Sequence, residues 1–315
     1  STYGINLSLS AGTATNPNIV KVDSNLCQNF INRGTSLFYG IYGSAGGDAA
    51  QVSFSYNTYT GHTQTSTGSV YGFYLFGTAL NGTLNQSYNS FSNNNFTTST
   101  GTIYGIYGGQ TTGNMTFSNN TANNNILNQA GGTVYLIYTS SSSTATIANN
   151  QVRNNRRNVL STATTVGATY GFYLLGSHAT SSLVNNNVVD SLYHLGMPGT
   201  TTTTMYGIYL SNTSPGQVFR NNQVTNLFTT GASTGNQSMW GMYIAPSGAN
   251  AVFRNNIVSG IRSAATQNGV IFGMQLAGST TAGTRKDFAA NTISNLSAGG
   301  STGNIRGIQI SGGTE

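Results

Sequence analysis

Few residues in this chain can do acid–base, nucleophilic or metal chemistry. The carboxylates are Asp23, Asp48, Asp190, Asp287 and Glu315, the histidines are His62, His178 and His194, and Cys27 is the one thiol. Hydrolysis of a glycosidic bond wants two carboxyl groups about 5–10 Å apart across that bond. Asp190 falls on an asparagine-rich turn, Asp23 just before one and Asp287 at a strand start, so no two acids share a position in neighbouring segments. Lyase chemistry would need a base beside calcium held by acidic ligands, and no cluster of acids is in place to hold it. The histidines fall in separate loops without metal-site spacing. Serine and threonine hydroxyls abound, but a hydroxyl without a placed base is not a nucleophile. The expectation is a chain that is not an enzyme and takes no cofactor or metal.

The charges point the same way. Eleven basic and five acidic residues leave +6, spread thinly over 315 residues. Arg153, Arg156 and Arg157 form the one tight cluster, whereas nucleic-acid affinity needs several phosphate contacts at once. No nucleic-acid partner is expected. Arg220 and Arg254 share a register position, flanked in register by Ser118, Ala148, Val184 and Ala289, and read as a solvated face. Arg285 and Lys286 beside Asp287 read as a solvated charge cluster. Cys27 stands in register with Phe91, Val152, Val188, Val224, Val258 and Ile293, which makes it a small buried hydrophobe.

Two uncharged residue types are far more regular. Asparagine recurs at Asn25, Asn57, Asn89, Asn120, Asn150, Asn186, Asn222, Asn256 and Asn291. A neutral amide carries both donor and acceptor, so stacked copies can bond one to the next, where stacked aspartates would repel. Tyrosine forms two series. Tyr3, Tyr39, Tyr71, Tyr104, Tyr135, Tyr170 and Tyr206 continue into Trp240 and Phe272; Tyr42, Tyr74, Tyr107, Tyr138, Tyr173, Tyr209 and Tyr243 make the other. Stacked aromatics stabilise neighbours by ~0.5–1.5 kcal/mol per pair. An exposed stripe of them is also a surface for sugars or lateral packing.

These residues need a scaffold that repeats. A phrase of aromatic, glycine, apolar, aromatic or polar, apolar returns at Gly4, Gly40, Gly72, Gly105, Leu136 (the copy without glycine), Gly171, Gly207, Gly241, Gly273 and Gly307, in steps of 31 to 36 residues. The asparagine motif runs in phase with it, as in Phe219-Arg220-Asn221-Asn222-Gln223-Val224. A period near 34 residues over the whole chain means a solenoid. Forty-one glycines with abundant Ser, Thr and Asn favour strands and turns, and no segment has a helical period. The fold class expected is all-β: residues 1–315 as one parallel β-helix solenoid of about ten coils, with an asparagine ladder. The glycine is expected to mark a bend at positive φ, with the apolar residues inward and the aromatics outward. No apolar run approaches the ~20 residues of a membrane span, so no membrane insertion is expected.

The phrase alternating with F-x-x-N-x-V/I-x-N-L resembles the right-handed parallel β-helix proteins of the pectate-lyase-like superfamily, and in particular large secreted β-helix proteins of Bacteroidota-type bacteria. The resemblance implies a right-handed coil and an extracellular or cell-surface location. Asp190-Ser191-Leu192 resembles the O-glycosylation site of those bacteria, which would make Ser191 the acceptor.

Neither end has room for a cap beyond Tyr3 or Ile310, and uncovered strand edges are templates for another copy. The leading expectation is a structural subunit of an extracellular filament or matrix. Copies would join head to tail through Tyr3, Ile5 and Leu7 at one end and Ile305, Ile308 and Ile310 at the other. The alternative is a cell-surface adhesin that binds glycans through the tyrosine series; a polysaccharide lyase or hydrolase is a third reading, and an ice-binding surface a minor fourth.

Overall fold

A computed structural model of the chain describes residues 1–9, 19–46, 51–65, 67–78, 82–97, 100–110, 113–128, 131–141, 144–159, 166–176, 182–200, 202–212, 215–246, 250–264, 266–277 and 285–311. Within them the chain winds as a parallel β-solenoid without a helix. Three sheets run along it. The first has ten strands, from Thr2–Leu9 to Asn304–Ser311, and the second has nine, from Ile19–Lys21 to Lys286–Ala289. The third has fourteen, because some coils cross it with two short strands, such as Leu26–Gln28 and Ile31–Asn32, and others with one long strand, such as Gln151–Asn158. The sequence period is the coil: Tyr39 pairs with Tyr71, Tyr71 with Tyr104 and Tyr104 with Tyr135.

Alternation of side chains sets the core. In the first sheet the pattern slips by one at the phrase glycine, so that Ile103, Gly105 and Ile106 all face inward while Tyr104 and Tyr107 are half-buried outside. The bend is therefore present, but positive φ is not its cause. The left-handed glycines do not include any glycine of the phrase. The requirement is close approach: a Cβ on Gly72 would lie 2.6 Å from the carbonyl oxygen of Gly105 and against the Phe91 ring. The column facing these glycines runs Cys27, Tyr59, Phe91, Ala122, Val152, Val189, Val224, Val258, Ile293. Cys27 is buried there as expected, but the column member between Val152 and Val224 is Val189, not Val188. Phe91 also approaches Gly105, 2.8 Å from a Cβ placed there, and by register Ala122, the smallest of the column, holds the corresponding place before Leu136.

Left-handed backbone instead marks two corners. One, between the second and third sheets, uses Ser24, Tyr56, Tyr88, Asn119, Asn149, Asn186, Asn221, Asn255 and Ala290. The other, inside the third sheet, uses Asn29, Gly61, Asn93, Asn124, Asn154, Ser191, Asn226, Gly260 and Asn295. Asparagine dominates because its short polar side chain tolerates this conformation better than other L-residues.

The two outermost strands of the first sheet, Thr2–Leu9 and Asn304–Ser311, each have one strand partner among the described residues. Ile305, Ile308 and Ile310 occupy columns that are buried at Ile271, Met274 and Leu276, yet are themselves 46%, 50% and 64% exposed.

Candidate functional site

The asparagine ladder stands just after the first corner. In each rung the backbone N–H and the side-chain Nδ2 of one asparagine both donate to Oδ1 of the next: Asn89 donates to Asn120 at 2.9 and 3.0 Å, and Asn120 to Asn150 at 2.9 and 3.0 Å. The second Nδ2 hydrogen goes to a carbonyl of the preceding coil, Phe54 for Asn89 and Gln86 for Asn120. The ladder so built runs through Asn25, Asn57, Asn89, Asn120, Asn150, Asn187, Asn222, Asn256 and Asn291. Asn186 is thus corrected to Asn187. In the run Asn185-Asn186-Asn187, Asn186 takes the left-handed corner at φ 56°, and its neighbour turns inward to the ladder. The same one-residue shift sets Asn185, not Val184, opposite Arg220.

A second, shorter ladder follows the second corner. The His62 N–H donates to Asn94 Oδ1, Asn94 to Asn125 and Asn125 to Asn155. Sequence reasoning missed it, although its signal is present: an Asn-Asn doublet supplies a corner residue and then a rung in both ladders.

The tyrosine columns form as expected. From Tyr3 to Phe272 the rings stack face to face, with centroids 4.4 Å apart at Tyr71–Tyr104 and 5.1 Å at Tyr3–Tyr39. The second column stacks from Tyr42 to Tyr243, 4.7 Å apart at Tyr74–Tyr107. Between columns the rings meet edge to face, as in Tyr71–Tyr74 at 84°. The rings alternate like bricks on one half-buried face. Desolvation, with the neighbouring hydroxyls adding to it, raises Tyr138 and Tyr206 to about 12 and pushes Tyr71, Tyr107, Tyr135 and Tyr170 higher still. The Arg306 guanidinium stands over Phe272 at 5.3 Å, and Trp240 Nε1 donates to Gln275 at 2.6 Å.

Each described carboxylate is engaged by its own partners. Asp23 accepts from Ser53 and from the Ser55 N–H; Asp190 accepts from Thr225 and Asn226; Asp287 pairs with Arg254. Asp190 lies in the strand Val188–Met197 opposite Arg153, not on the asparagine turn. No group of three or more His, Cys, Asp or Glu among the described residues could hold a metal ion. A shallow depression of about 360 Å³ beside Arg285 and Asp287 brings in no second carboxylate. Asp48, His178, Glu315 and most of the Ser161 to Thr169 loop lie outside the described residues.

The arginine cluster separates on folding: Arg153 is half-exposed, Arg156 points outward and Arg157 is buried in the core. Arg157 donates from Nη1 to the Gly167 carbonyl and from Nη2 to the Gly132 carbonyl, each at 2.7 Å, and desolvation lowers it to about 9. Neither His62 nor His194 lies in a loop exposed to solvent. His194 pairs in register with Arg157, is buried, and reaches Thr169 at 2.8 Å; burial and then Arg157 hold it well below the ordinary value. His62 is lowered to about 4, chiefly by burial. Ser191 is only 9% exposed at the second corner, so its hydroxyl is a poor acceptor for a sugar.

No family model, curated protein or solved structure matches this chain. The fold stands on geometry: a parallel β-solenoid with an asparagine ladder.

Proposed function

We propose that the chain is a non-enzymatic structural rod, a subunit of an extracellular filament or matrix in which copies join head to tail. The shared phrase of the two end strands carries this reading: Thr2–Leu9 and Asn304–Ser311 repeat the inner strands of one sheet, and Ile305, Ile308 and Ile310 stand in columns that are buried at Ile271, Met274 and Leu276. A second copy fits that register, because Thr2–Leu9 bears the same phrase. Continued in register, its Tyr3 falls over Arg306, Ile5 over Ile308 and Leu7 over Ile310. Backbone pairing across the seam would extend the first sheet by strand addition. A right-handed coil and kinship with secreted pectate-lyase-like β-helices accord with this reading.

Electron microscopy and sedimentation of the purified protein test it. Filaments that lengthen with concentration are expected, and Ile308→Asp should abolish them while leaving the melting temperature of the single rod unchanged. Concentration-independent single rods would overturn the proposal.

The half-buried tyrosine face favours a second reading, a glycan-binding surface module. Under it, binding on a glycan array disappears in Tyr173→Ser/Tyr209→Ser.

A further inference from the structure

A different face of the rod carries an arrangement that the filament reading does not use. In the part of the third sheet beyond the second corner, one outward column reads Arg156, Tyr193, Phe228, Arg262 on four successive strands. Both arginines are exposed and both aromatics are half-buried. The Arg262 guanidinium lies 4.6 Å over the Phe228 ring, a seat that orients its N–H groups without using them. Arg156 stands beside Tyr193 in the same register relation. The described carboxylates are engaged elsewhere: Asp23 with serines, Asp190 with Thr225, Asn226 and, at 3.8 Å, Arg153, and Asp287 with Arg254. Neither Arg156 nor Arg262 has an acidic partner among the described residues.

We infer that this column is a binding site for a linear anionic polysaccharide lying along the rod axis. Three strand spacings separate the arginines, about 14 Å. An extended chain bearing sulfate or carboxylate groups can meet both guanidinium forks at once, and two oxygens of either anion accept the paired N–H groups of an arginine. The ring edges between them offer apolar contact and a phenol hydroxyl for the sugar. Two arginines are too few to hold a nucleic acid, whose affinity is built from many phosphate contacts.

Calorimetry with dextran sulfate and, separately, polygalacturonate at about 0.15 M ionic strength tests this and distinguishes sulfate from carboxylate. Binding of at least one is expected. Arg156→Gln/Arg262→Gln should weaken it by more than tenfold, since both charge-assisted contacts are lost. Phe228→Leu, which removes the seat but no charge, should weaken it several-fold. Arg220→Gln, on the second sheet, should leave it unchanged. Binding of neither polymer, unaltered binding by the double variant, an equal loss in Arg220→Gln, or tighter binding of a single-stranded oligonucleotide with the same residue dependence would each overturn the inference. Filament formation is read separately and does not bear on this result.

Discussion

Each ladder asparagine meets three backbone or side-chain demands with one amide, which no other side chain of its size does. Asn120→Ala would strand two donors of Asn89 and the Gln86 carbonyl. A loss of about 2–4 kcal/mol in chemical denaturation is expected, since buried unpaired groups carry their full desolvation penalty. Its neighbour Asn119 takes the corner, its side chain donating only a 3.3 Å bond to the Ser118 hydroxyl, and Asn119→Gly should cost a few tenths of a kcal/mol at most. This division of labour explains the misplacement at Asn186. Spacing located the motif, but within three consecutive asparagines only backbone conformation decides which one turns inward. The buried imidazoles give a pH signature. Unfolded histidine titrates near 6.5, whereas His62 in the rod holds no proton until about 4. The unfolded chain therefore binds more protons between these values. Stability should fall on acidification through that window, by up to about 1.4 kcal/mol per pH unit per histidine, and be flat above it. Melting temperature against pH measures this, and His62→Asn, which restores the residue type of the second ladder, should flatten part of the slope.

At the scale of the strand, both columns of rings were legible because a period of one coil brings like residues to like places. The reason for the glycine was not legible. Sequence shows that a side chain is missing, not whether torsion or a neighbour forbids it. Here Phe91 and the carbonyl of the next coil forbid it. The pair Leu136 and Ala122 makes this testable. Ala122→Phe should destabilise by about 1–3 kcal/mol through overpacking, and Leu136→Gly by about 2–5 kcal/mol through a cavity. Together they should cost much less than their sum, recreating the approach of Phe91 to Gly105, where a Cβ would lie 2.8 Å from the ring; additive losses would refute the coupling. The tyrosine strands give an alkaline counterpart. Tyr138 and Tyr206 keep their protons to about 12, while unfolded tyrosine loses its proton near 10. Stability is thus full below about 10 and is lost as pH rises toward 12, so ultraviolet titration should show tyrosinate appearing together with loss of strand circular dichroism.

For the whole molecule, the solenoid could be read from the chain because each coil restates the last, and an error in one coil is outvoted by the others. What broke the repeat was illegible for the same reason. Arg157 looked like one of three clustered cations because its coil has no precedent for an inward charge; alternation from the inward Val152, slipped by one at Asn154, sends Arg157 to the core and Arg156 to the surface. Arg157→Leu would leave the carbonyls of Gly132 and Gly167 bare. The opposing relief of a buried charge makes its sign the informative quantity: destabilisation means the guanidinium pins this coil, and stabilisation means the charge is retained for some purpose other than folding.

The long ladder has one more property. In every rung the backbone N–H and one Nδ2 hydrogen go to the higher-numbered coil, so every ladder Oδ1 looks toward the lower-numbered one. The rod therefore carries an arrow. Two copies meeting through like ends, about a two-fold axis, would confront oxygen with oxygen or hydrogen with hydrogen. Only translation along the arrow repeats the pattern, and translation, unlike rotation about a dyad, never closes on itself.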